Sequence, residues 1–436
     1  MTRHALGVLV LIPLIAPDRA EERPSFVLCM TDDQGWGDVG YNGLAAAKTP
    51  NLDAMAAAGL RFDRFYAAAP VCSPTRGSFL TGRHPNRFGC FLYGYPIRPR
   101  EVTIAQMLKP LGYATGHFGK WHLNGVSGPG KPIPADDPLN PGRMGFDEWL
   151  SVSNYFDLDP AMSRNGTTVS LKGDGSDLIV EEALRFIEAS AGRKKPFLAV
   201  VWFGNPHSPH RALPADRAAA GGSDYCGEIV AIDRAMGALR AGLRRLGVAE
   251  NTFLLFTSDN GATGPGSTGG LRGKKGTVWE GGLRVPGLLE WPARIPKPRV
   301  TAVPACSSDL FPTVLDIVGI KGPFPVEPLD GISLLPLIEG RMAERPRPIG
   351  FWHYAPRKGD KEAFGKDAGQ AAWTDNRYKL HKPAPGRFEL YDLASDPGEQ
   401  QDLSGSRPEI VRKMREELDG WQESVLRSYR GEDYRR

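Results

Sequence analysis

Two carboxylates stand side by side at Asp32 and Asp33, directly after the apolar run SFVLCMT. Adjacent carboxylates repel when both are ionised and unpaired, and a divalent cation removes the conflict. Asp259 and Asn260 follow another apolar run, NTFLLFTS, and offer further oxygens. An all-oxygen set suits calcium or magnesium rather than zinc. Each pair alone is also ordinary turn and helix-cap chemistry; their shared place after a buried-strand pattern favours a site. Cys72 lies in PVCSPTRGSFLTG, two residues before Pro74 and four before Arg76, at the mouth of an apparent helix. These residues leave two readings open: a half-buried structural thiol next to a helix start, or a residue chemically rewritten before it works. Lys120 and His122 follow YATGHFG; on an extended chain they would point the same way. His207 and His210 follow PFLAVVWFGN, whereas His84, His117 and His381 read as structural.

These groups need a scaffold that delivers them to one place. The apolar runs SFVLCMT, YATGHFGKW, PFLAVVWF and NTFLLFTS alternate with helical patterns such as SDLIVEEALRFIEASAG and DYCGEIVAIDRAMGALRAGLRRLG. That alternation predicts an α/β domain with a large, mostly parallel central sheet flanked by helices. In open α/β sheets ligands bind beyond the carboxyl ends of the strands, where all these polar residues fall. We place this catalytic domain at residues 23–348. Near Gly340 the pattern changes to shorter segments, AAWTDNRYKLHK and RFELYDLASDPGEQ, before the helical PEIVRKMREELDGWQESVL. A small C-terminal α+β domain with an antiparallel sheet is expected over 349–436.

The chain has 436 residues and a formal net charge of +4. That balance is compatible with a small anionic substrate and too diffuse for nucleic acid. Five cysteines without metal-ligand spacing allow a single disulfide but no disulfide framework. Residues 1–22 read as a signal peptide: a short basic start, an apolar run from Ala5 to Ala16, then charge. Export to a periplasmic, secreted or lysosome-like compartment follows, with no stable membrane span after processing; an uncleaved anchor is the alternative.

With these pieces in order, the chain resembles the formylglycine-dependent type I sulfatases of the alkaline-phosphatase-like superfamily. CSPTRGSFLTGR matches the C-x-P-x-R maturation motif with its extension, and GYATGHFGKWHL matches the second signature. TDDQGWGDVG, NPHSPH, TSDNG, LRGKKGTVWEGGLRVP and ELYDLASDPGE match further family blocks in order. The blocks DDQGWGDVGYNG and SFLTG are similar to the N-acetylgalactosamine-6-sulfatase and arylsulfatase A type branch.

The resemblance implies a sulfuric ester hydrolase acting on a sulfated sugar or aryl sulfate. It implies that a formylglycine-generating enzyme oxidises Cys72 to Cα-formylglycine, reading Pro74 and Arg76. The hydrated aldehyde carries two hydroxyls: one attacks sulfur, and the other expels the sulfate as the aldehyde returns. By the same likeness Asp32, Asp33, Asp259, Asn260 and converted Cys72 hold one calcium ion. Arg76 orients the diol, and Lys120 and Lys275 contact sulfate oxygens. His122 takes a proton from the second hydroxyl, and His207 donates to the leaving alcohol. LRGKKG departs from the family's usual single lysine; the likeness selects Lys275 over Lys274. A phosphonate or phosphodiester hydrolase shares the formylglycine and the fold, but that sister group normally has His where this chain has Asn260. An inactive sulfated-glycan binding protein would need a broken motif or an unconverted Cys72. Candidate sugar contacts are Arg98 and Arg100, His210 and Arg211, and the segment from His353 to Trp373.

Overall fold

The computed structural model describes residues 23–356 and 364–434. The signal-peptide-like segment and residues 357–363 lie outside the described residues. The long apolar runs form the centre of a ten-stranded sheet. Thr252–Ser258, Ser25–Thr31, Phe197–Trp202, Ala114–Lys120 and Glu148–Val152 lie in that spatial order, all parallel. Antiparallel strands flank them, Gly287–Glu290 on one side and Ala161–Arg164 on the other.

Strand alternation splits the core between the two faces. Phe26, Leu28 and Met30 pack with Phe79 and Leu80 of the Cys72–Thr81 helix and with Leu310 and Phe311. Val27 and Cys29 pack on the opposite face with Ile179 of the Gly175–Gly192 helix and Ile229 and Ile232 of the Asp224–Arg245 helix. All five cysteines are free, so the allowed disulfide does not form. Register then sets the site. Thr31 pairs with Ser258, and Met30 and Gly119 both pair with Trp202. The strands therefore end level, and Asp32 and Asp259 leave the sheet side by side.

A separate four-stranded antiparallel sheet contains Ile349–His353, Gln370–Thr374, Tyr378–Ala384 and Arg387–Asp392. Met414, Leu418 and Val425 of the Pro408–Tyr429 helix cover its Trp352, Leu380 and Leu390. Its other face continues into the large domain, where Phe351 and Ala372 join Tyr66, Val278 and Cys306. Among the described residues no helix is long and apolar enough to cross a membrane.

The chain end is fastened just beyond the Cys72–Thr81 helix. Arg83, buried, forms ion pairs with Glu101 at 3.1 Å and Asp433 at 2.6 Å. Arg98 and Arg100 lie 5.1 and 5.3 Å from the centre of the Tyr434 ring. Arg98 also donates to the Tyr429 carbonyl at 3.1 Å, and Arg100 to the Tyr434 carbonyl. Truncation before Gly431 should therefore lower unfolding free energy by about 2 kcal/mol, the scale of a lost charged hydrogen bond. Denaturant unfolding checks this; an unchanged midpoint would mean the fastening contributes nothing.

Candidate active site

The site is built from loops that follow the central strands. Lys120 Nζ lies 2.5 Å from Asp32 Oδ2, and Lys275 Nζ lies 2.6 Å from Asp33 Oδ1. Arg76, one helical turn beyond Cys72, donates to Asp259 Oδ2 through Nη2 at 2.7 Å and Nε at 3.1 Å. Asp33 donates its backbone N–H to Asp259 Oδ1 at 3.1 Å, and Asn260 Nδ2 donates to Asp33 Oδ1 at 2.8 Å. Asp33 adopts a left-handed backbone, φ 67°, which directs consecutive carboxylates to different partners. Ligand atoms of Asp32, Cys72 and Asp259 lie within 4.8 Å of one another, as do those of Asp32, Asp33 and His207.

Each carboxylate thus already meets a cation, in contrast to the unneutralised cluster that the sequence suggests. Oxygens remain over: Asp32 Oδ1 and Asn260 Oδ1 are buried without a hydrogen-bond partner. Buried acceptors of this kind are costly unless something satisfies them. These oxygen donors fit a hard divalent cation.

Cys72 is 1% exposed, so it lies inside the protein and not in a surface pocket. Burial pushes its thiol above the usual range, although Lys120 and Lys275 pull the other way. A thiol held protonated is a poor nucleophile. Burial, then Lys120, keeps His122 neutral well below the ordinary imidazole range. Neither His122 nitrogen has a hydrogen-bond partner among the described residues, so neither is committed elsewhere. The strand stops at Lys120 and His122 is left-handed, φ 54°. The pair therefore does not project from one extended segment, although both reach the site.

His207 is stacked on Tyr155, with ring centres 4.5 Å apart and planes 12° apart. Its Nδ1 lies 2.6 Å from the Ser208 carbonyl and so carries the proton, leaving Nε2 facing Asp33 Oδ2 at 3.7 Å. Burial lowers this imidazole, with the Asp32 charge opposing. Lys275 is raised: burial acts against it, but Cys72 and the Asp33 carboxylate outweigh that effect. Lys274 instead points outward and donates to the Gly264 carbonyl at 3.1 Å.

The sugar-contact candidates divide. His210 and Arg211 lie just past His207, where His210 Nδ1 is 3.2 Å from Glu228 Oε2. Arg98 and Arg100 are committed to the chain end described above. Trp373 donates to Glu417 at 2.8 Å and packs against Trp421. His353 ends a strand of the C-terminal sheet, where burial lowers it to about 4. A loop charge or aromatic in sequence does not say which way it faces; these four have the partners and places just given.

Other residues shape the site without an obvious sequence signal. Asp38 accepts from the Gly35 and Ser267 N–H groups, both at 2.8 Å, and from the Tyr225 hydroxyl at 2.5 Å. It joins the Asp32–Asp33 loop to the loop bearing Lys275. Trp202 lies 5.0 Å beneath the Arg76 guanidinium. The Lys275 loop meets the Cys72 segment through Gly276 N–H and the Pro70 carbonyl at 2.9 Å. The C-terminal part closes it: Glu280 donates its N–H to Glu399 at 2.7 Å, and buried Lys379 pairs with Glu280 at 3.1 Å and Glu399 at 2.8 Å.

Comparison with known proteins agrees with this geometry. The sulfatase family matches residues 24–320, and the C-terminal region of N-sulphoglucosamine sulphohydrolase matches 273–424. N-acetylgalactosamine-6-sulfatase of Mus musculus is 33% identical over 380 residues, covering 79% of this chain and 72% of that protein. Arylsulfatase A of Homo sapiens is 31% identical over 470 residues, covering 93% and 89%. The crystal structure of Ps i-CgsB in complex with k-i-k-neocarrahexaose is 27% identical and covers 92% of this chain and 93% of that one, with a TM-score of 0.81. The chain belongs to the sulfatase family. It is a sulfuric ester hydrolase, with the large α/β sheet and small antiparallel sheet described above.

Proposed function

We propose that this chain is an exported, calcium-dependent sulfatase that releases inorganic sulfate from a sulfated carbohydrate through a formylglycine made from Cys72. The convergence of Asp32, Asp33, Asp259, Arg76, Lys120 and Lys275 around a buried cysteine carries this reading. Asp32, Asp33, Asp259, Asn260 and the converted Cys72 hold the ion. Bound there, calcium supplies a fixed charge that lowers the pKa of the attacking hydroxyl and attracts a sulfate oxygen. Lys120 and Lys275 turn from their carboxylates to the sulfate, where charge shifts in the transition state. Arg76, fixed by Asp259 and Trp202, orients the nucleophile. His207, in its protonated form, donates to the leaving alcohol, and neutral His122 takes the proton that lets the sulfate leave. Names among the relatives make N-acetylgalactosamine 6-sulfate the first sugar to try. The mass of the Cys72 peptide, read with sulfate release from defined sugar sulfates, tests the proposal. Formylglycine mass and sulfate release are expected together. Turnover by protein whose Cys72 remains a plain thiol would overturn it.

The two neighbouring lysines give a sharper test. Lys275→Ala should lower the turnover number on an activated aryl sulfate by about a hundredfold or more, the usual scale for losing a donor to transition-state charge. Lys274→Ala should leave it within about threefold, as for a surface substitution. The reverse result would place the functional side chain one residue earlier.

A further inference from the structure

Beyond His207 the site continues into a polar corner that the sulfate chemistry does not use. His210 is held from behind: Nδ1 meets Glu228, whose other oxygen accepts the Arg211 N–H at 2.5 Å. Glu228 is fully buried on the Asp224–Arg245 helix. The edge of the Tyr225 ring braces the imidazole, with centres 5.1 Å apart at 83°. His210 is nevertheless 18% exposed, and its Nε2 makes no hydrogen bond to a described residue.

Asp157 supplies the complementary group. Both of its carboxyl oxygens are buried and neither has a hydrogen-bond partner; the Leu158 N–H acts on it electrostatically without reaching hydrogen-bond geometry. Burial, then the Glu228 charge, pushes Asp157 up to about 7. It is close enough to act on His210, which in turn senses Asp33. A braced donor and an unsatisfied acceptor thus stand near one another on the alcohol side of the site. Nothing in sulfate hydrolysis requires them, and leaving the buried Asp157 oxygens without a partner among the described residues is costly.

We infer that His210 and Asp157 form a specificity subsite for a free ring hydroxyl of the sugar that lies close to the sulfate. The hydroxyl accepts from Nε2–H of the His210 imidazolium, the form that the Glu228 carboxylate favours, and donates to an Asp157 oxygen. Glu228 is a positioning residue that fixes the His210 ring. The inference rests on the carbohydrate-sulfatase reading and adds to it what part of the sugar is read.

The test compares N-acetylgalactosamine 6-sulfate, its 4-deoxy analogue, and para-nitrophenyl sulfate. Wild-type kcat/KM should fall about a hundredfold or more on the deoxy analogue, because a site built for a hydroxyl rejects its absence. Asp157→Asn and His210→Ala should each lower kcat/KM on the intact sugar at least about tenfold more than on the aryl sulfate, and should narrow the deoxy discrimination. Glu228→Gln should do the same more weakly. Equal losses on sugar and aryl substrates would mean a structural role and overturn the subsite. So would turnover of the aryl sulfate with none of the sugar, or a wild type indifferent to the missing hydroxyl. Failure on every sulfate ester by protein with converted Cys72 would instead overturn the proposed function. Thermal unfolding of each variant separates misfolding from lost recognition.

Discussion

Cys72→Ala abolishes sulfate release, with an expected loss on the order of a millionfold in turnover number, as when a covalent catalytic unit loses its nucleophile. The fold survives, because one buried sulfur is worth only about 1–3 kcal/mol. Cys72→Ser is the more informative variant. A serine that is not oxidised keeps a single hydroxyl, which attacks at best once and leaves a sulfate ester with no second hydroxyl to expel it. The serine variant should therefore be inactive or carry a covalent sulfate visible in its intact mass. Continuous turnover at the wild-type rate by that variant, with a peptide mass showing unoxidised serine, would end the formylglycine mechanism for this protein. Burial raises the unconverted thiol, which makes it a poor nucleophile by itself.

Asp259→Ala is expected to remove metal, activity and stability together. Asp259 is the buried partner of Arg76, and both side chains are completely shielded from solvent. Removing it leaves a guanidinium near Asp32, whose Oδ1 is 3.8 Å from Arg76 Nη2, as its remaining close carboxylate. Breaking a buried ion pair in this way costs about 3–5 kcal/mol. The instability thus comes from a stranded cation, whereas the uncompensated carboxylates foreseen from sequence are each already paired. Elemental analysis, denaturant unfolding and sulfate release on Asp259→Ala and the isosteric Asp259→Asn separate these effects. Full activity in chelator-treated protein containing no metal would exclude the hard-cation site; an unchanged unfolding midpoint would show that Asp259 does not hold Arg76.

The parts that were legible in sequence are those where one residue answers to its near neighbours. Ser25–Thr31 and Thr252–Ser258 were readable because strands buried on both faces are written as unbroken apolar runs. Asp32 and Asp259 were readable because they end those runs. Thr103 heads the stretch TIAQMLKPLG, where a threonine before an apolar-periodic run reads as an N-cap, and in the structure it forms a capping box with Gln106. What stayed hidden depends on contacts between distant segments. Glu280, Lys379 and Glu399 look like ordinary surface charges until folding buries them together. Asp157 carries no motif, and its importance lies in the partners it lacks. The arginines at 98 and 100 had the right chemistry for a sulfated sugar, but only the path of the last helix shows that Tyr434 occupies them.

Burial also imposes a timetable. Every residue of the Cys72–Thr81 helix is buried, and the loop that closes against Pro70 is itself held by Lys379 and Glu399. Under the proposed mechanism, a maturation enzyme must read Cys72 before this enclosure is finished. Synthesis of the chain between Cys72 and Glu399 takes on the order of half a minute. During that delay the cysteine has emerged but the residues that seal it have not yet been made. A molecule that closes unconverted is a folded and permanently idle copy until it unfolds. On that mechanism the fraction of active enzyme would depend on conversion outrunning closure, and faster folding alone would lower the yield.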